Sequence, residues 1–124
     1  MLRDFESITH DLTKDELRMV PFIIAAFKKY TKNNPITGPE VCRGWNKNRE
    51  RLGFMTRLNE PRLRKICNYI RSHSEIPLIA TRRGYYVSYN VQDIDNQILS
   101  LEERAMSILS SAEGLKRIRE KVGK

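Results

Sequence analysis

Residues 60–89 read EPRLRKICNYIRSHSEIPLIATRRGYYVSY, and two periodicities meet inside them. In the first half, Leu63, Ile66, Cys67 and Ile70 fall at i, i+3, i+4 and i+7, the buried stripe of an amphipathic helix. The opposite side presents Arg62, Lys65, Tyr69 and Ser72, flanked by Arg64, Asn68 and Arg71, so the polar face is cationic. From Ile76 onward, β-branched and aromatic residues flank Arg82-Arg83-Gly84, a short turn in which Gly84 can take positive φ. The stretch predicts a helix over 60–73 followed by a β-hairpin over 76–89 with two arginines at its tip.

Working upstream, three helix starts share one chemistry. Asn59 caps the helix at 60, with Pro61 in its first turn and Leu58 facing Leu63. Thr37 with Glu40 forms a capping box, stapled by Ile36 and Val41, and predicts a helix from Gly38 to about Asn46. Thr13 with Glu16 repeats the box, stapled by Leu12 and Leu17, and predicts a helix from Lys14 to about Tyr30. Pro21 lies inside that helix, where a kink or a restart is expected. A basic connector, Lys47 to Arg57, carries Gly53 as a break. Trp45, Cys42 and Cys67 read as core residues, the thiols as small hydrophobes. On a period of two, Tyr85, Val87 and Tyr89 share one face of the second strand. Tyr85 is expected to cover the core and Tyr86 to be available for a sugar or phosphate.

Downstream, from about Asp93, Ile94, Leu101, Ile108, Leu115 and Val122 are spaced by seven, and Ile98, Ala105, Ala112 and Arg119 follow successive members by four. That is a four-heptad seam, with Arg119 weakening its end. A helix of this length outruns so small a domain. A homodimer through Ile94, Ile98, Leu101, Ala105, Ile108, Ala112, Leu115 and Val122 is therefore expected, against the alternative that the stripe packs on the first helix of the same chain. The layout is a tail over 1–11, a helix-rich domain with a hairpin over 12–92, and a long helix over 93–124. Its class is α+β, mainly α.

The chain has 124 residues and a net charge of +8. Residues 35–92 hold eleven Lys and Arg against Glu40, Glu50, Glu60 and Glu75, whereas 93–124 balance to zero. Such a concentration suits phosphate neutralisation. Helix, helix, basic connector, cationic helix and arginine-tipped hairpin is the order of a winged helix-turn-helix. An α-helix fits the major groove, where Arg and Asn pair with guanine and adenine edges, and a hairpin arginine suits phosphates or the narrow minor groove. The candidate DNA contacts are Arg49, Arg51 and Arg57 in the connector. They continue with Arg62, Arg64, Lys65, Asn68, Tyr69 and Arg71 on the helix, and with Arg82, Arg83 and Tyr86 on the hairpin.

Other classes are disfavoured. No nucleophile–base set or glycine-rich phosphate loop occurs, so no enzyme, cofactor or small-molecule substrate is expected. The two histidines, His10 and His73, lack metal-ligand spacing. The first residues are acidic where a signal peptide would be apolar, and no apolar run spans a bilayer. A cytoplasmic protein with reduced thiols and no membrane partner follows as the expectation.

ITGPEV (36–41), LRKICNYIR (63–71) and IPLIATRRGYYVS (76–88) resemble small winged-helix proteins of tailed bacteriophages and prophages. The likeness continues into SLEERAMSI (100–108) and covers roughly residues 12–110. Its most specific part is the Ile-Ala-Thr, Gly-Tyr-Tyr hairpin after a helix ending in Tyr-Ile-Arg. The resemblance implies a winged-helix fold, no catalysis, and double-stranded DNA binding in the transcription or replication of a phage or mobile element. The alternative is a winged-helix adaptor that binds protein and no DNA.

Overall fold

A computed structural model describes residues 11–123. It is α+β and mainly helical, with three helices, a two-stranded hairpin and a long C-terminal helix. The chain divides into two compact units, Met1–Tyr89 and Asn90–Lys124. Of the tail expected over residues 1–11, only Asp11 lies among the described residues.

The caps form where the sequence places them. Helix α1 spans Lys14–Phe27, and at its start the Thr13 amide donates to Glu16 Oε1 (2.9 Å) while the Glu16 amide donates to Thr13 Oγ1 (3.1 Å). Helix α2 spans Gly38–Asn48 behind the second box, Thr37 with Glu40. Helix α3 spans Glu60–Ser72, its first turn closed by the Arg62 amide on Asn59 Oδ1 (2.9 Å). Each box satisfies amides that a helix start leaves without partners. Helix α1 passes through Pro21 without interruption, so no restart occurs there. It ends at Phe27, short of Tyr30, because the chain turns: the Lys29 and Tyr30 amides bond to Ala26 O and Phe27 O. Helix α2 runs on to Asn48, two residues past the expected end.

Met19, Phe27, Leu63, Ile66, Ile70 and Leu78 are fully buried and join α1, α3 and the hairpin in one core. The connector from α2 to α3 is folded rather than loose. Gly53 takes φ +86°, Phe54 and Leu58 are buried, and Trp45 Nε1 donates to Thr56 O (2.9 Å). Asn46 bonds both backbone groups of Leu58, accepting its N–H (2.8 Å) and donating to its carbonyl (2.9 Å).

Strands β1, Leu78–Thr81, and β2, Gly84–Val87, pair antiparallel with Leu78 opposite Val87 and Thr81 opposite Gly84. Arg82 and Arg83 form the two-residue tip. The outer edge of β2 meets Ile36, which exchanges both backbone hydrogen bonds with Tyr85 (2.9 and 2.7 Å). Gly84 has φ +131°, and a Cβ there would stand 2.5 Å from Ile36 O. Only glycine meets both conditions.

The second unit is one helix, α4, Val91–Val122, capped by Asn90 Oδ1 on the Asp93 amide (3.1 Å). Its 32 residues make a rod of about 48 Å. Ile98, Ile108, Leu115 and Val122 are exposed along it.

One ionic contact ties α1 to α3. Glu16 is 3% exposed, and its carboxylate accepts from Lys65 Nζ at 2.8 Å and from Arg62 Nε at 2.9 Å. Burial alone would raise its pKa; hydrogen bonds from Lys65, the Thr13 amide and Arg62 outweigh it and bring the value down to about 2. The folded-state value lies below the ordinary 4.5. The contribution is therefore fully present above that pH and is lost as pH falls through about 2, a difference of about 3 kcal/mol. Chemical denaturation across pH 2–6 should show this slope, and Glu16→Gln should remove it. Glu16→Ala should cost about 3–5 kcal/mol, because Lys65 is left in a nearly closed site. Gly84→Ala should lower stability by about 2–4 kcal/mol through backbone strain and the closed space at Ile36, read as a drop in denaturation midpoint.

Candidate nucleic-acid interface

Four of the eleven cations in residues 35–92 are committed to the interior. Arg62 and Lys65 hold Glu16, and Arg62 Nη1 also donates to Arg57 O (2.7 Å). Arg49 is buried, with Nη1 donating to Met55 O (2.9 Å) and Phe54 O (3.3 Å), so it clamps the connector. Arg71 Nε donates to Leu78 O (3.0 Å) and fixes α3 to β1. Arg49 and Lys65, expected to face solvent, are thus largely withdrawn from it, while Arg62 and Arg71 stay partly exposed and also hold internal acceptors.

Of the two hairpin tyrosines, Tyr85 keeps its expected place and Tyr86 does not. Tyr86 is 4% exposed, opposite Ile79 on the hairpin, and offers no ring to a ligand. Tyr85 is half-buried and packs on Phe27, with centroids 5.4 Å apart, so its expected place against the core is correct. Tyr69 is half-buried against the core and stacks on His73 at 3.9 Å. One face of its ring is thus taken by the imidazole.

A narrower surface remains. On α3 the exposed residues are Glu60, Pro61, Arg64, Asn68 and Ser72. Pro61, Arg64, Asn68 and Ser72 recur at intervals of three and four, which makes a single row along the helix. Glu16 draws the neighbouring row, Arg62 and Lys65, down toward α1. Arg82 and Arg83 are exposed at the hairpin tip, where the Arg83 amide donates to Thr81 Oγ1 (3.2 Å). Arg57 is exposed in the connector. Arg51 is exposed too, but it borders a cleft of about 310 Å³ between α1 and α2, with Phe22, Ala26, Lys29, Trp45 and Leu52. The structure does not bring it to the α3 row.

Further exposed cations escaped the sequence reading. Arg43 and Lys47 lie one turn apart on the outer side of α2, and Lys28, Lys29 and Lys32 follow the end of α1. The signal for Arg43 and Lys47 was their phase, opposite Val41 and Trp45. Burial pushes the Cys67 thiol up to about 12 and also raises Cys42, the reverse of the shift that activates a thiol. Among the described residues, no three metal-ligating side chains cluster, and no helix is long and apolar enough to cross a membrane.

No family model, curated protein or solved structure matches the chain.

The placement of Arg49 can be tested directly. Arg49→Ala should lower unfolding free energy by about 1–3 kcal/mol by releasing two carbonyls of the connector.

Proposed function

We propose that the chain is a double-stranded DNA-binding protein of winged helix-turn-helix type. In this reading α3 enters the major groove and the 82–84 hairpin tip contacts the backbone or the adjacent minor groove. The observation that carries it is the Arg64–Asn68 row on α3 together with an arginine pair at the tip of a hairpin in the same unit. Arginine and asparagine are the side chains that read guanine and adenine edges, and they stand one helical turn apart. Arg57, Arg43 and Lys47 add positive charge for phosphates, and the middle of the chain keeps its excess of seven. The resemblance to phage winged-helix proteins supports a role in the transcription or replication of a mobile element within a bacterial cytoplasm. No catalytic step, cofactor or small-molecule substrate enters this reading.

Fluorescence anisotropy on random duplex, single strand and fragments of the source genome, over a salt series, tests the proposal. Duplex binding that weakens steeply with salt, with one fragment preferred, is the expected result. Arg82→Ala with Arg83→Ala should weaken all duplexes alike and lower the slope of log K against log salt by about 0.9 for every phosphate no longer neutralised. Arg64→Ala with Asn68→Ala should instead level the preference between fragments, by about 1–3 kcal/mol for each base edge no longer read. The Arg82→Ala, Arg83→Ala variant should keep the parent's melting temperature. No duplex binding at low salt would overturn the reading and favour a protein partner.

A further inference from the structure

We infer that α4 pairs with α4 of a second copy in antiparallel orientation, in one register centred between Met106 and Ser107. This deepens the self-association expected from the seam and does not depend on DNA binding. Much of the face is exposed: Leu115 is 65% exposed and Val122 79%, with Ile98 and Ile108 about half exposed, while Ile94 and Leu101 are partly covered. The helix begins at Val91, which extends the seam by one position beyond the heptads counted from Ile94.

Side-chain size chooses the orientation. In an antiparallel pair each a residue faces a d residue of the other helix, and the centred register makes every layer complementary. Val91 meets Val122, Ile98 meets Leu115, Ala105 meets Ile108, and Ala112 meets Leu101. Each alanine is matched with a large aliphatic side chain, which keeps the interaxial distance even along the rod. A parallel pair stacks Ala105 on Ala105 and Ala112 on Ala112 between thick Leu and Ile layers, so two layers are underfilled.

Charge makes the same choice. Parallel pairing sets Arg119 against Arg119 in the seam. Antiparallel pairing moves the two arginines to opposite ends, where each stem lies over Ile94 of the other copy and the guanidinium reaches water. Along one flank Asp95 comes beside Lys116 of the second copy, twice per dimer. Both are exposed in the protomer, Lys116 bonding across its own surface to Glu113 (3.1 Å). The flanking positions of a parallel pair (Gln97 with Glu102, Arg104 with Leu109, Ser111 with Lys116) contain no opposite charges.

The test uses the full chain carrying Cys42→Ser, with Cys67 left in the core. Ile98→Cys and Leu115→Cys chains are made singly and by co-expression, oxidised in a glutathione buffer, and weighed by sedimentation. The expected result is a dimer mass throughout, no disulfide in either single variant, and a disulfide joining 98 to 115 in the co-expressed sample. In the antiparallel register the two copies of residue 98 stand about 25 Å apart, beyond any disulfide. Disulfides within each single variant would overturn the orientation. A dimer with no disulfide in any sample would place the interface elsewhere and overturn the register, and a monomer would end the proposal while leaving the DNA reading standing. As a second measurement, Lys116→Asp should raise the dimer dissociation constant about tenfold, and adding Asp95→Lys should restore it. A parallel pair gives no such rescue.

Discussion

The Glu16 carboxylate leaves water and receives the Thr13 amide, Arg62 and Lys65 in exchange. The two cations lie 46 and 49 residues away in the chain, so one side chain sets both the start of α1 and its distance from α3. Arg62 passes the constraint on to the connector through Arg57 O, and Asp15 receives Thr56 Oγ1 beside it (3.0 Å). A buried ion pair of this kind contributes modestly against a well-packed apolar alternative, but it is intolerant of losing one member. Its larger effect is geometric. It fixes which arc of α3 faces out, and so which residues any ligand meets.

What was legible in the chain was local. Thr13 and Thr37 mark their helices because a cap and the residue three positions on must agree, and Asn59 marks the third as a single cap with Pro61 in the first turn. Leu63, Ile66, Cys67 and Ile70 name the inner face of α3 for the same reason, a period of 3.6. The hairpin and its arginine tip were legible too, though Gly84, expected in the turn, opens β2 opposite Thr81. The destination of a long cation was not legible. Arg62, Lys65, Arg49 and Arg71 look in sequence like Arg64, since periodicity gives direction from an axis and says nothing of an acceptor arriving from another element. Glu16 was read as half of a capping box, which it is, and its two free lone-pair directions gave no sign of α3. Tyr85 and Tyr86 show the limit for strands: alternation separates the two faces, and both faces here remove their tyrosine from full exposure.

The internal cations do not alter the long-range field. Glu16 offsets one positive charge of the pair that it holds, and the net charge of +8 acts at a distance whichever groups carry it. Close contact is different, because a guanidinium bonded to a carbonyl is held in one orientation and has fewer N–H groups left for another acceptor. The positive field is therefore broad, whereas the cations exposed for close contact include Arg64 on α3, Arg82 and Arg83 at the tip and Arg43 and Lys47 on α2.

The frame around the hairpin tip separates what is fixed from what can change. Thr81 holds the turn through its hydroxyl, which accepts from the Arg83 amide and donates to Gly84 O (3.3 Å). Ile36 closes the far side of β2, and nothing in that frame uses the side chains of positions 82 and 83. The tip is a cassette: its two residues can vary over generations without cost to the core, while the glycine after them cannot. A lineage of this protein could retune what its hairpin touches by single substitutions there, and Gly84 would remain its most constant mark.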